Sequence, residues 1–234
     1  MIWIVGLVII FIFFLLHCIW RPRWYLKLKA KVSKPTTYAL SDFPEMQEFH
    51  DAFDDIRTEC YNVLNQPVNH IHRNGNIWSN SADPKKTDEF LSANKDITGW
   101  IIAQALGSPV GTDDWLNFPL MAVGHEFKNN LALCPKMAGL LKKHKKIINI
   151  CGFSLLKPGA KLKSHVDTTG MPYNTMAYHL GLIVPTDGEN NLIVNGETYI
   201  QREGQSIIFD STYLHSANNN SSKDRVILYI DFAC

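Results

Sequence analysis

From Ile147 to the carboxy terminus the chain consists of short β-rich runs: INICGFSLL, MAYHLGLIVP, NLIVNGETYI, QSIIFD and RVILYIDF. They are separated by the dipeptides Pro158-Gly159, Asp187-Gly188, Asn195-Gly196 and Glu203-Gly204. Short strands at regular spacing with turn dipeptides between them leave an antiparallel sandwich or barrel as the fold. Asn195-Gly196, set between LIV and ETYI, predicts a two-residue hairpin, because both residues tolerate positive φ. The expectation is a mainly β jelly roll with a core of about 147–234 and helices packed outside it.

Upstream the texture is helical or irregular. From Pro44 to about Asn65 the apolar positions Met46, Phe49, Phe53, Ile56, Cys60 and Val63 recur at three- and four-residue steps, one face of an amphipathic helix. A second helix is predicted from Pro135 to about Lys146, with Met137, Leu140 and Leu141 inward and a solvated lysine-rich face. Between Gln66 and Cys134 periodicity fades into Asn, Gly, Pro and isolated tryptophans, which predicts loops and short elements, with a helix near Thr87–Ala93.

The amino terminus is physically distinct. Met1–Trp20 contains no formally charged side chain and is dense in Ile, Val, Leu and Phe. As a helix it would span roughly 30 Å, one hydrocarbon thickness. No basic segment precedes it and no small-residue cleavage site follows, so an anchor is expected rather than a cleaved signal. Arg21, Arg23, Lys27, Lys29, Lys31 and Lys34 follow with no acid among them. The positive-inside rule then predicts a single-pass membrane protein with its folded domain on the cytoplasmic side. Residues 1–20 are read as the anchor, 21–43 as a basic juxtamembrane segment and linker, and 44–234 as one domain. At 234 residues the chain is short for two. A net charge of +1, with both signs spread along the chain, gives no field pointing to nucleic acid. Five cysteines without C-x-x-C spacing argue against a disulfide framework or a zinc ribbon.

Nine histidines have to be sorted. His17 lies in the apolar run, His144 sits among lysines on a helix face expected to be solvated, and His50, His70, His72 and His125 lack acids or cysteines at ligand spacing. His165-Val166-Asp167 differs: two apart on an extended segment, the imidazole and the carboxylate can converge on one ion. His215 follows the strand-like SIIFD by the short turn STYL and can supply a third ligand. Two histidines and one carboxylate on one face are the arrangement of non-heme Fe(II) oxygenases. Arg225 opens RVILYIDF, where alternation sets it on one face with Ile227 and Tyr229. A guanidinium on an apolar wall calls for an anion, and the 5-carboxylate of 2-oxoglutarate is the natural partner.

With SLLKPGAKLKSHVD, YHLGLIVP, GQSIIFDSTYLHSANN and DRVILYIDF, the run Ser154–Asp231 resembles the aspartyl/asparaginyl β-hydroxylase family of double-stranded β-helix dioxygenases, and most of all its bacterial lipid A 2-hydroxylase branch. A weaker likeness extends through LSDFPEMQEFHDAFDDIR and ALCPKMAGLL. The resemblance implies an Fe(II)/2-oxoglutarate hydroxylase using O2 and releasing succinate and CO2. It puts His165 and His215 on the family's iron histidines, and Ser154, His179 and Arg225 on positions that hold 2-oxoglutarate. The animal peptidyl branch has glycine where Asp167 stands and an arginine where Ala177 stands, while the lipid branch continues well past the core. Substrates implied are therefore a protein Asp/Asn side chain or a lipid acyl chain. A non-catalytic tethered jelly-roll binding module is the alternative from another class. Animal members face a secretory lumen, against the charge pattern here; Asn219 and Asn220 open N-x-S sequons whose glycosylation would mark that side.

Overall fold

The computed structural model describes residues 35–70, 84–102, 113–167 and 175–233. The expected membrane span and the basic segment through Lys34 lie outside them. Among the described residues no helix is long and apolar enough to cross a membrane.

In chain order the strands are β1 (Thr37–Tyr38), β2 (Val68–Asn69), β3 (Trp100–Ile102), β4 (Trp115–Ala122), β5 (His125–Glu126), β6 (Ile148–Leu156), β7 (Lys161–His165), β8 (Thr175–Ile183), β9 (Asn190–Val194), β10 (Glu197–Ile200), β11 (Ser206–Asp210), β12 (His215–Asn219) and β13 (Arg225–Ala233). The helices are α1 (Pro44–Asp51), α2 (Phe53–Val63), α3 (Pro84–Asn94), α4 (Lys128–Leu133) and α5 (Pro135–His144). A four-stranded sheet runs β10-β9-β12-β7, and a larger one runs β1-β11-β8-β13-β6-β4-β3-β2, with β5 on β4. The last eight strands divide four and four between the two sheets, changing sheet at every step but the β9–β10 hairpin, in the order of a jelly roll, as the turn spacing predicts. Asn195 and Gly196 have φ of 52° and 88° and close the β9–β10 hairpin.

The larger sheet is buried on its outer face by the helices. Phe118, Phe153, Leu180, Leu228 and Ile230 meet Met46, Phe49, Ile56 and Met137 in one cluster, each fully buried large side chain contributing about 1.5–3 kcal/mol. The predicted helix over 44–65 is present as two: Ala52, at φ −89° and ψ 15°, breaks it into α1 and α2 while the apolar stripe continues across the break. Two main-chain N–H groups of α5's first turn, at Lys136 and Met137, are capped by the Glu59 carboxylate of α2. This satisfies donors that no side chain at α5's own N-cap reaches.

The sheet begins earlier than the sequence suggests. β4 lies inside the segment read as loops and pairs with β6 along most of its length. Pro119 makes WLNFPLMA a poor strand by local rules; the fold accommodates it with a register shift between Pro119 and Met121. Thr37–Tyr38 pair with β11, so part of the segment read as linker joins the sheet. His144 is not solvated: it is 8% exposed, its Nε2 is 3.1 Å from Glu48, and its ring packs on Phe49.

Candidate metal centre

His165 and His215 lie directly opposite each other on β7 and β12. The next matched pair is Leu162 with Ala217, so three steps on β7 answer two on β12. Strict alternation would put His165 on the side of exposed Lys163, away from Leu162. The bulge turns it inward, to the side where Leu162 packs with Ala217 and Trp115. Asp167 follows just past the strand, with its N–H held by the Ser211 carbonyl at 3.0 Å.

The three side chains meet. His165 Nε2 is 3.6 Å from Asp167 Oδ1 and His215 Nε2 is 3.6 Å from Asp167 Oδ2, and one ligand atom from each residue lies within 4.8 Å of the others. These separations are too long for hydrogen bonds. They approach the spacing of about 3 Å expected for neighbouring ligands each about 2.1 Å from one ion. Each imidazole is oriented by its own strand: Nδ1 of His165 donates to the Lys163 carbonyl at 2.6 Å, and Nδ1 of His215 to the Tyr213 carbonyl at 2.9 Å. Both Nε2 atoms are thereby left as the nitrogens that could coordinate an ion. Among the described residues this is the one His/Cys/Asp/Glu group of metal-binding geometry.

The electrostatics suit a cation. Burial alone would raise the Asp167 carboxyl, but His215, His165 and the Tyr229 phenol outweigh it and hold it below the usual carboxylate range. Burial, then the neighbouring His215, pulls His165 down. Burial also acts to lower His215, yet Asp167 leaves it raised.

The inner face of the larger sheet stands across from this group. Strand register aligns Ser154 (β6), Ile227 (β13) and Gly181 (β8) in one row, and Gly152, Tyr229 and His179 in the next. Arg225 opposes Leu156 at the end of the same face. It is 1% exposed, and its Nε has no hydrogen-bond partner among the described residues. Burial pushes this guanidinium down to about 9. His179 is held well below the usual imidazole range by burial, then by the Arg225 charge, so it is neutral. The Gln201 amide nitrogen, 3.1 Å from His179 Nδ1, donates to it and leaves the ring proton on Nε2. Gly181 allows this: a Cβ there would collide with the Arg202 carbonyl of the turn that carries Gln201.

All six residues singled out from sequence thus fall on two facing surfaces: His165 and His215 on the smaller sheet with Asp167 just past the end of β7, and Arg225, His179 and Ser154 on the larger. Three further residues complete the surroundings. Trp115 donates its indole N–H to Ser154 Oγ at 2.9 Å, Gln201 orients His179, and the Tyr229 hydroxyl donates to Asp167 Oδ2 at 3.0 Å. Alternation from Arg225 places Tyr229 on the right face, but no motif marks it; Trp115 and Gln201 carry no local signal at all. His50 and His125 serve elsewhere, on Ser206 and Asp88. Of the two sequon asparagines, Asn219 is fully buried, its amide spent on the Leu156 and Lys223 carbonyls; Asn220 is exposed.

Comparison with known proteins identifies the family. Protein L888 of Acanthamoeba polyphaga mimivirus, uncharacterised, is 30% identical over 83% of this chain and 69% of its own length. An ornithine lipid ester-linked acyl 2-hydroxylase of Rhizobium tropici is 28% identical over 94% of this chain and 68% of its own. Aspartate beta-hydroxylase domain-containing protein 2 of Xenopus tropicalis is 27% identical over 88% and 52%. The chain therefore spans about two thirds of the first two relatives and about half of the third. Residues 50–234 match the aspartyl/asparaginyl beta-hydroxylase family as a whole, a stretch holding both the facing surfaces and most of the helices behind them, and the chain belongs to that family.

Proposed function

We propose that this chain is an Fe(II)- and 2-oxoglutarate-dependent hydroxylase. His165, Asp167 and His215 hold the iron, and Arg225, with Ser154 and His179, holds the cosubstrate. The observation that carries the reading is the pairing of two facing groups: three convergent ligand side chains, and across from them a buried guanidinium whose Nε has no hydrogen-bond partner among the described residues. Burying a guanidinium is costly without an anion, and a dicarboxylate bound beside the metal would supply that anion while His165, Asp167 and His215 held the ion.

When bound, iron and 2-oxoglutarate together supply the oxidising chemistry, in which O2 gives one oxygen to a substrate C–H bond and the other to succinate, with loss of CO2. The chain's own residues bind and orient. Asp167, kept ionised, neutralises half of the dication's charge. Arg225 fixes the distal carboxylate, His179 offers an Nε2–H donor, and Ser154, already accepting from Trp115, retains its own hydroxyl proton to donate. Apolar walls at Ile227 and Leu156 keep water from the guanidinium.

Two substrate classes remain within this reading, a lipid acyl chain and a protein Asp/Asn side chain. The lipid is favoured by one observation: the Rhizobium alignment, over 94% of this chain, reaches into the apolar leader. We propose that Met1–Trp20 anchors the domain at a bilayer, on the cytoplasmic side. Purified protein given Fe(II), 2-oxoglutarate and either extracted lipids or Asp/Asn peptides is expected to form succinate and add one oxygen in mass to the lipid. His165→Ala, Asp167→Ala and His215→Ala should each abolish that succinate. No succinate with any substrate would leave a tethered binding module as the better description; a mass gain confined to peptides would exchange the substrate class.

A further inference from the structure

The three candidate ligands are not held alike. His165 and His215 are each oriented by a carbonyl two residues back on their own strand. Asp167 lies beyond the end of β7. Its main chain is tied by one bond to Ser211, which fixes where the residue starts but not how the carboxylate is turned. The carboxylate is instead met from the other sheet: Tyr229, in the middle of β13, donates its hydroxyl to Oδ2 at 3.0 Å. Among the described residues no hydrogen bond engages Oδ1, the oxygen facing His165. The phenol ring is itself fixed, 5.5 Å from the His179 ring.

We infer that Tyr229 is a positioning residue of the metal site: its hydroxyl clamps Asp167 from the opposite sheet and presents the carboxylate to the ion in one orientation. The inference rests on the metal-binding reading above. A phenol can donate to the carboxylate while the other oxygen coordinates, so the clamp survives loading. It also joins the surface that carries the metal ligands to the one that carries Arg225, so the distance between ion and guanidinium is set by a bond and not by packing alone. Outer partners of this kind typically account for about 10–100-fold in metal affinity.

Tyr229→Phe removes the hydroxyl and keeps the ring. Nickel(II) serves as probe, because it binds nitrogen and oxygen ligands more tightly than Fe(II) and keeps weakened sites measurable. Calorimetric titration of the full chain is expected to give about 10-fold weaker binding for Tyr229→Phe, with the melting temperature of the metal-free protein nearly unchanged. In an Asp167→Ala background, which keeps both histidines, adding Tyr229→Phe should change affinity by less than about 2-fold, since the clamp has nothing left to hold. An equal loss in both backgrounds, or no loss in either, overturns the inference. Failure of the unsubstituted chain to bind the metal would instead remove the functional reading, and this inference with it.

Discussion

The two faces of β13 place opposite demands on one run of nine residues. Val226, Leu228, Ile230 and Phe232 point to the helices and are at most 2% exposed within the main apolar cluster. Arg225, Tyr229 and Asp231 alternate with them on the other face. They are about as well buried in two of three cases, yet carry a guanidinium whose Nε has no partner among the described residues, a phenol committed to a carboxylate, and an acid with one oxygen likewise unpaired there. Both faces exclude water, but one uses that exclusion to stabilise the fold and the other to strengthen a site. Burial alone therefore does not distinguish core from function here. The state of the polar atoms does.

Substitutions on the two faces should separate stability from binding. Leu228→Ala, on the helix side, is expected to cost about 3 kcal/mol, seen as a melting temperature lower by about 6–12 °C, with 2-oxoglutarate affinity in the folded fraction unchanged. Arg225→Met, on the other side, should do the reverse. It loses about 2 kcal/mol or more of cosubstrate binding, roughly 30-fold in Kd, while the ligand-free protein melts no lower, because an unpaired buried charge has gone. Equal losses of stability for both would erase the distinction.

Asp231 sharpens the comparison through pH. Burial, opposed by the Asn149 amide and reinforced by Asp167, pushes its carboxyl up from 3.8 to about 7. Below the ordinary value the acid is protonated in both folded and unfolded chains. Between there and about 7 the unfolded chain releases the proton and the folded one keeps it, so stability falls as pH rises, and above about 7 the full cost remains. In metal-free protein Asp231→Asn should thus leave the melting temperature unchanged at pH 4 and raise it at pH 8 by about 3 °C or more, the equivalent of about 1 kcal/mol in a domain this size. The smallest effect is expected at Gln201→Leu, which frees the His179 tautomer and should weaken 2-oxoglutarate by about 5-fold, near one neutral hydrogen bond.

How much of this the sequence discloses depends on the range of the interaction that does the work. Turn dipeptides and period-two runs are local, so the β9–β10 hairpin, β8 and β13 are legible, and alternation correctly sets Tyr229 beside Arg225. His165 and Asp167 are legible as a pair two apart, but the side of β7 that they face is not. Plain alternation would also turn exposed Lys163 inward; a bulge, visible only when β7 is paired with β12, separates them. β4 is hidden because Pro119 argues locally against a strand that neighbouring strands nonetheless stabilise. His144 reads as solvated until Glu48, from a helix far away in sequence, is brought to it. Ser154 and His179 come from family resemblance, and Trp115 and Gln201 from coordinates alone, since each acts through a partner at least twenty residues distant.

The central claim is that two imidazoles on the smaller sheet and the Asp167 carboxylate hold a single metal ion. Anaerobic calorimetric titration with Fe(II) tests it most directly. The unsubstituted chain is expected to bind one equivalent and His215→Ala none at the same concentrations, with the fold of the variant intact by circular dichroism. Equal binding by the two proteins would contradict it.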